Sequence, residues 1–134
     1  MKKVLTVDDS KVVRTLVARY LEGYGCEVLE ATNGQEGVDL AAQHRPDLIL
    51  LDLRMPVMDG RQALAALRAN PATSAIPVVV LTAEGDGVTE LAPLALQGSL
   101  IKPFQKETFD KAVRKVLGTP SAVRPAAPAP APAA

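Results

Sequence analysis

The feature that most constrains this chain is a regular alternation of short, unbroken apolar runs with segments whose apolar residues recur at helical spacing. The runs Val4 to Val7, Val28 to Ala31, Leu48 to Leu53, Val78 to Leu81 and Leu100 to Ile101 are rich in Val, Ile and Leu and bounded by turn residues, which marks them as strands. Leu48 to Leu51 and Val78 to Leu81 are apolar at every position instead of every second one, as a strand covered on both faces requires. Between the strands, Val13, Leu16, Val17, Tyr20 and Leu21 form one helical stripe, and Ala63, Leu64 and Leu67 form another. Asn33 with Glu36 three residues on has the pattern of a capping box ahead of Val38, Leu40 and Ala41. Phe109, Ala112, Val113, Val116 and Leu117 make the last helix, closed by Gly118. The segment Val88 to Gln97 is the weakest helix, because Gly85, Gly87 and Pro93 all disfavour regular structure. Strands alternating with helices give a parallel sheet with right-handed crossovers, hence a three-layer α/β sandwich.

Composition sets the limits. The 134 residues are enough for one full core but not for two domains. The 15 basic residues balance 15 acidic ones, so no excess of Lys and Arg favours nucleic acid or an anionic membrane, and neither is expected as a partner. A lone Cys26 excludes an intramolecular disulfide. The opening MKKVLTVDDS reaches acidic residues too early for a secretory signal, and no apolar run approaches the roughly 20 residues of a bilayer span. A cytoplasmic setting is expected. The composition changes at Gly118: Thr119 to Ala134 holds 5 Pro and 7 Ala among 16 residues, with Arg124 as its one charge. Residues 1–118 are therefore read as the folded domain and 119–134 as a disordered, polyproline-leaning tail or linker.

In a parallel α/β sheet, functional groups gather at the carboxyl ends of the strands. Here those positions hold Asp8 and Asp9 after the first strand, Asp52 at the end of the third, Thr82 after the fourth and Lys102 after the fifth. Three carboxylates in one pocket repel unless a positive group joins them. A hard, oxygen-seeking divalent ion answers that need, Mg²⁺ first and Mn²⁺ as an alternative, and Lys102 adds a fixed positive charge. Such a site suits a phosphoryl group, with Thr82 donating a hydrogen bond to it and one carboxylate free to act as nucleophile.

Each signal has an ordinary structural reading when taken alone. Asp9 or Ser10 can be a helix N-cap, Asp59-Gly60 a turn, Thr82 a strand end and Lys102-Pro103 a helix lead-in. Their convergence on one sheet edge is what favours a site. His44 suits the last turn of a helix, Cys26 reads as a small packing residue, and Met55 and Met58 read as loop packing.

These residues resemble the receiver domain of two-component response regulators, in particular its stand-alone, CheY-like kind. The likeness covers about Lys3 to Leu117 and rests on VDDS, LILLDLRMPVMDG around Asp52, VVVLTA ending near Thr82, and LIKPF containing Lys102. The resemblance implies a (βα)5 flavodoxin-like fold with a five-stranded sheet in the order 2-1-3-4-5, an order often cited for this family. It implies Asp52 as the phosphoacceptor, and Asp8, Asp9 and the Arg54 backbone carbonyl as metal ligands beside Asp52. Thr82 would be the switch hydroxyl and Lys102 the phosphate-pairing cation. The donor would be a sensor histidine kinase or a histidine phosphotransfer protein. The chain would catalyse only its own phosphotransfer and dephosphorylation, and would signal by binding a downstream protein that the sequence does not specify.

Two departures mark this chain. Ser99 stands three residues before Lys102, where the family usually carries Tyr or Phe, and the Thr82-to-Lys102 span is about two residues short and contains Pro93. Activation is therefore expected to be expressed in Ala83 to Gln97, with Ser99 a passive surface residue. The alternative function is an Asp-nucleophile phosphohydrolase of small phosphate esters. Such enzymes usually place the nucleophile in a D-x-D motif after the first strand, whereas VDDS lacks that spacing and Asp52 belongs to the third.

Overall fold

The computed structural model describes residues 2–53, 58–82, 98–102 and 104–117. The strands are β1 (Lys3–Val7), β2 (Glu27–Ala31), β3 (Leu48–Asp52), β4 (Val78–Thr82) and β5 (Gly98–Ile101). The helices are α1 (Lys11–Leu21), α2 (Gly34–His44), α3 (Gly60–Ala69) and α4 (Lys106–Leu117), with one 3-10 turn at Glu22–Tyr24. All neighbouring strands run parallel, in the order β2-β1-β3-β4-β5. This is the five-stranded flavodoxin-like sheet in the order 2-1-3-4-5 that the resemblance implies, with four helices among the described residues. The expected helix at Val88 to Gln97, the Ala83 to Gln97 switch segment, Arg54, Met55, the Gly118 cap and the tail from Thr119 lie outside the described residues.

The continuous apolarity of the central strands has the anticipated cause. Leu5, Val7, Ile49, Leu51, Val78 and Val80 point to one side and meet Ala41 of α2 and Ala63, Leu64 and Leu67 of α3. The intervening Val4, Leu48, Leu50, Val79, Leu81 and Leu100 point to the other and meet Val17 and Leu21 of α1 and Phe109 and Val113 of α4. Alternation of side chains along each strand divides one run between two cores. The chain has two Phe and two Tyr, and all four lie along the seam between α1 and α4. Tyr20 sits edge-on to Phe104 at 6.2 Å and tilted to Phe109 at 5.3 Å. The Tyr24 hydroxyl donates to Asp110 Oδ1 at 2.5 Å, and burial together with that carboxylate pushes the phenol's pKa well up.

Local boundaries follow from hydrogen bonding more than from apolarity. β5 begins at Gly98 because Gly98 and Ser99 pair with Val79 and Val80, although neither side chain has a strand signature. β3 ends at Asp52, one residue before the expected Leu53, whose N–H still donates to the Leu81 carbonyl at 3.2 Å. The Asn33 cap of α2 forms as expected, its Oδ1 accepting from the Glu36 N–H at 2.8 Å, but Glu36 returns to the Thr32 N–H at 2.6 Å and not to Asn33. Asp59 is more than a turn residue: its carboxylate accepts from the Gln62 N–H at 2.9 Å while Gln62 accepts from the Asp59 N–H at 3.0 Å, a complete capping box.

His44 lies in the last turn of α2, as read from the sequence. Cys26 is half-buried and packs against the α1–α4 core, and burial pushes its thiol pKa up, away from reactivity. Met58 packs against the core under α2 and α3.

The glycine that opens α3 is fixed by a close approach. A Cβ on Gly60 would overlap the Asp52 carbonyl oxygen and lie 2.6 Å from the Leu53 Cα, both of them backbone atoms that cannot rotate away. The Gly60 N–H also donates to the Leu53 carbonyl at 3.1 Å. Gly60→Ala should therefore cost about 2 kcal/mol or more as an overpacking defect, read by urea denaturation. The backbone of Asp52 should shift with it.

Candidate functional site

The carboxyl edge of the sheet collects the predicted residues. Asp8 follows β1, and its N–H continues the ladder to the Ala31 carbonyl at 3.0 Å. Its side chain is fully buried, with Oδ1 accepting from the Ser10 N–H at 2.8 Å. Ser10 is also the N-cap of α1, so the structural and the functional reading of VDDS hold together. Asp9, next in the chain, is exposed. Asp52 is the last residue of β3 and is buried.

Lys102 leaves β5 and crosses to these acids. Its N–H donates to the Thr82 carbonyl at 2.6 Å, which ties it to the end of β4. Its Nζ lies 2.9 Å from Asp8 Oδ2 and 3.2 Å from Asp52 Oδ1. Burial alone would pull the ammonium's pKa down, but the hydrogen bonds and negative charges of Asp8 and Asp52 outweigh it, so the pKa sits above its ordinary value. Thr82 closes β4, buried, one step beyond the Leu81 that is paired with Asp52.

Asp8, Asp9 and Asp52 each offer a carboxylate oxygen within 4.8 Å of the others. One ammonium among three carboxylates leaves this cluster two charges negative. The donor set is all oxygen and holds one exposed acid, which suits a hard divalent cation that keeps part of its water shell. Arg54, expected to offer a backbone carbonyl here, lies outside the described residues.

Arg14 of α1 also reaches this edge. Its Nη1 donates to the Asp8 carbonyl at 2.7 Å, and its Nε pairs with Glu30 Oε1 at 2.9 Å. Nothing in the sequence marks it, because Arg14 falls between the apolar positions of α1 and reads as a solvent-facing cation.

The Lys102 pairing has a pH signature. A lysine whose folded pKa is raised contributes stability that is fully present below its ordinary value near 10.5 and lost as pH rises through the folded value. Lys102→Met, measured without divalent ions, should be destabilised by about 2 kcal/mol at neutral pH. Solvent screening at the ammonium, a quarter exposed, keeps the cost below that of breaking a fully buried pair. The gap between wild type and variant should stay constant up to about pH 10 and narrow above it.

Known proteins resemble this chain over most of its length. Residues 4–114 match the family model for the response regulator receiver domain. Protein PilH of Pseudomonas aeruginosa is 40% identical over 120 residues, which span 87% of this chain and 98% of that protein. Protein PilG of the same organism is 35% identical over 115 residues, 84% of each chain. Among solved structures, the chemotaxis protein CheY4 of Vibrio cholerae aligns with a TM-score of 0.79 at 36% identity, covering 87% of this chain and 99% of that one. The receiver domain of a Pseudomonas aeruginosa sensor histidine kinase, with magnesium coordinated in its active-site cleft, aligns with a TM-score of 0.79 at 29% identity over 88% of this chain and 98% of that one. This chain belongs to the response regulator receiver domain family, as a CheY-like member of two-component signalling.

Proposed function

We propose that Asp52 accepts a phosphoryl group from a phosphohistidine, on a sensor histidine kinase or a histidine phosphotransfer protein, and that the phosphorylated chain signals by binding a downstream protein. The observation that carries this reading is the Lys102 ammonium shared between Asp52 and Asp8 beside the exposed Asp9. An Asp52 carboxylate oxygen attacks phosphorus, the P–N bond to the donor imidazole breaks, and an acyl phosphate forms on Asp52. Lys102 turns from Asp8 toward the arriving phosphoryl oxygens, and the Thr82 hydroxyl donates to one of them. Asp8, Asp9 and Asp52, with the Arg54 carbonyl, would hold Mg²⁺ or Mn²⁺. When bound, the ion neutralises charge on the acids and on the transferred group. Water attack on phosphorus later returns Asp52 to its carboxylate, so the chain's own chemistry is confined to gaining and losing this one group.

The match to PilH over 98% of that protein and to CheY4 over 99% of that chain supports a receiver of the stand-alone kind, and output by protein binding is part of this proposal. Among the described residues, no helix is long and apolar enough to cross a membrane. A cytoplasmic location is part of this proposal. So is the division into a receiver over residues 1–118 and a Pro/Ala-rich tail that adds nothing to the core.

Acetyl phosphate with Mg²⁺ should add one phosphoryl group to the intact mass. Chelation by EDTA should abolish the adduct, and so should Asp52→Asn. An adduct that survives that substitution would place the acceptor elsewhere. Deleting Thr119 to Ala134 should leave the melting temperature unchanged within error, and a drop of several degrees would show that the tail packs.

A further inference from the structure

The acidic pair sits on a turn whose backbone is held from outside the cluster. Asp8 is fixed at every polar atom: its N–H by the Ala31 carbonyl, Oδ1 by the Ser10 N–H, Oδ2 by Lys102, and its carbonyl oxygen by Arg14 Nη1 at 2.7 Å. Asp9 is different. Among the described residues its carboxylate makes no hydrogen bond, so the backbone that places its Cβ is what holds it near the other acids. The peptide between Asp8 and Asp9 is planar, and fixing the Asp8 carbonyl oxygen also fixes the Asp9 nitrogen across that plane.

The donor that does so is unusual. A parallel ladder continuing past Asp8 would offer a backbone N–H from β2, but there the chain has already turned into the cap of α2, with Thr32 bonded to Glu36. The guanidinium of Arg14 supplies the donor instead. Arg14 is steadied at both ends: its backbone N–H donates to the Ser10 carbonyl at 3.1 Å in the first turn of α1, and its side-chain Nε pairs with Glu30 on β2 at 2.9 Å. The Arg14 side chain is 12% exposed and that of Glu30 is 51% exposed. A planar fork can hold two partners in fixed directions at once, whereas a lysine ammonium cannot reproduce both.

We infer that Arg14, braced by Glu30, is a positioning residue that aims Asp9 into the cation site by clamping the Asp8–Asp9 peptide. This rests on the reading of Asp8, Asp9 and Asp52 as the cation-binding acids. Arg14 would touch neither the cation nor the phosphoryl group. Its effect would appear as metal affinity, in the way that partners behind a ligand tune the ligand itself.

The experiment is calorimetric titration of the unphosphorylated full chain with Mg²⁺ alone, alongside thermal melts of each variant. In Arg14→Gln the Mg²⁺ dissociation constant should rise about tenfold while the protein still melts cooperatively. Arg14→Lys should recover only part of the loss. Glu30→Gln, which keeps an acceptor for Nε, should stay near wild type, and Glu30→Ala should show a smaller rise than Arg14→Gln. A purely structural arginine would lower the melting temperature and leave the affinity of the folded protein unchanged, and that result would overturn the inference. If Arg14→Gln fails to fold, Glu30→Ala decides the matter at its half-exposed position, since wild-type Mg²⁺ affinity there would equally overturn it. Wild-type protein that neither binds Mg²⁺ nor takes a phosphoryl group from acetyl phosphate would instead refute the proposed function, and this inference with it. Normal wild-type behaviour with unaltered variants would remove the inference alone.

Discussion

The structure depends on a charge held where charge is costly. Asp8 is fully buried at the carboxyl edge of a parallel sheet, close to the buried Asp52. An isolated carboxylate in that position would be driven to take up a proton, and two neighbouring ones would repel. Lys102 lowers this cost by lying between them, 2.9 Å from one and 3.2 Å from the other. Much of the remaining architecture makes that bridge geometrically available. Lys102 can reach both acids only because β3 lies between β1 and β4 and β5 flanks β4, which brings the ends of strands remote in sequence to one edge.

Both cores support this edge. The α2–α3 side locks the backbone of β3 through Gly60, whose missing side chain lets the start of α3 press against the Asp52 and Leu53 main chain. Gly37 lets α2 close on the side chain of Val7 in β1, since a Cβ there would fall 2.8 Å from the Val7 Cγ2. The opposite side is closed by the aromatic seam of Tyr20, Phe104 and Phe109, which sets α4 directly after the β5 exit that carries Lys102. Close packing on both faces holds the strand ends that carry Asp8, Asp52 and Lys102 in fixed relation to one another.

The elements legible in the sequence were those with a periodic or compositional signature. Unbroken runs such as Leu48 to Leu51 revealed doubly covered strands, and acids, hydroxyl and lysine following four strands marked the edge. Strand order came only from the resemblance, because parallel pairing leaves no local trace in apolar runs of similar composition. The start of β5 has no such signature, because Gly98 and Ser99 join the sheet through their backbones, whereas its end at Ile101 is where the apolar run stops. Asp59 looked like a turn residue because a capping box and a turn share the same residue types; Gln62, three residues on, was the available clue. Arg14 was invisible for a deeper reason. Its partners are a backbone carbonyl and a side chain on a neighbouring strand, and tertiary hydrogen bonds of that kind have no sequence period.

The same connections suggest how a charge change at Asp52 would leave the site. A phosphoryl group carries more negative charge than the carboxylate it replaces and adds acceptor oxygens. Lys102 divides its donors between Asp8 and Asp52, so a stronger acceptor on Asp52 weakens its hold on Asp8. Asp8 keeps the Ser10 N–H on Oδ1, and the Arg14 bond to its main-chain carbonyl holds the turn in place. The lysine's own backbone is less independent. Its N–H bond to the Thr82 carbonyl is short, 2.6 Å, and a shift of Lys102 therefore bears on the last peptide of β4. Thr82 would then be acted on twice, through its hydroxyl by the phosphoryl group and through its carbonyl by Lys102. Two forces converging on one strand end need no aromatic residue at position 99 to carry them, which makes Ser99 compatible with a working receiver.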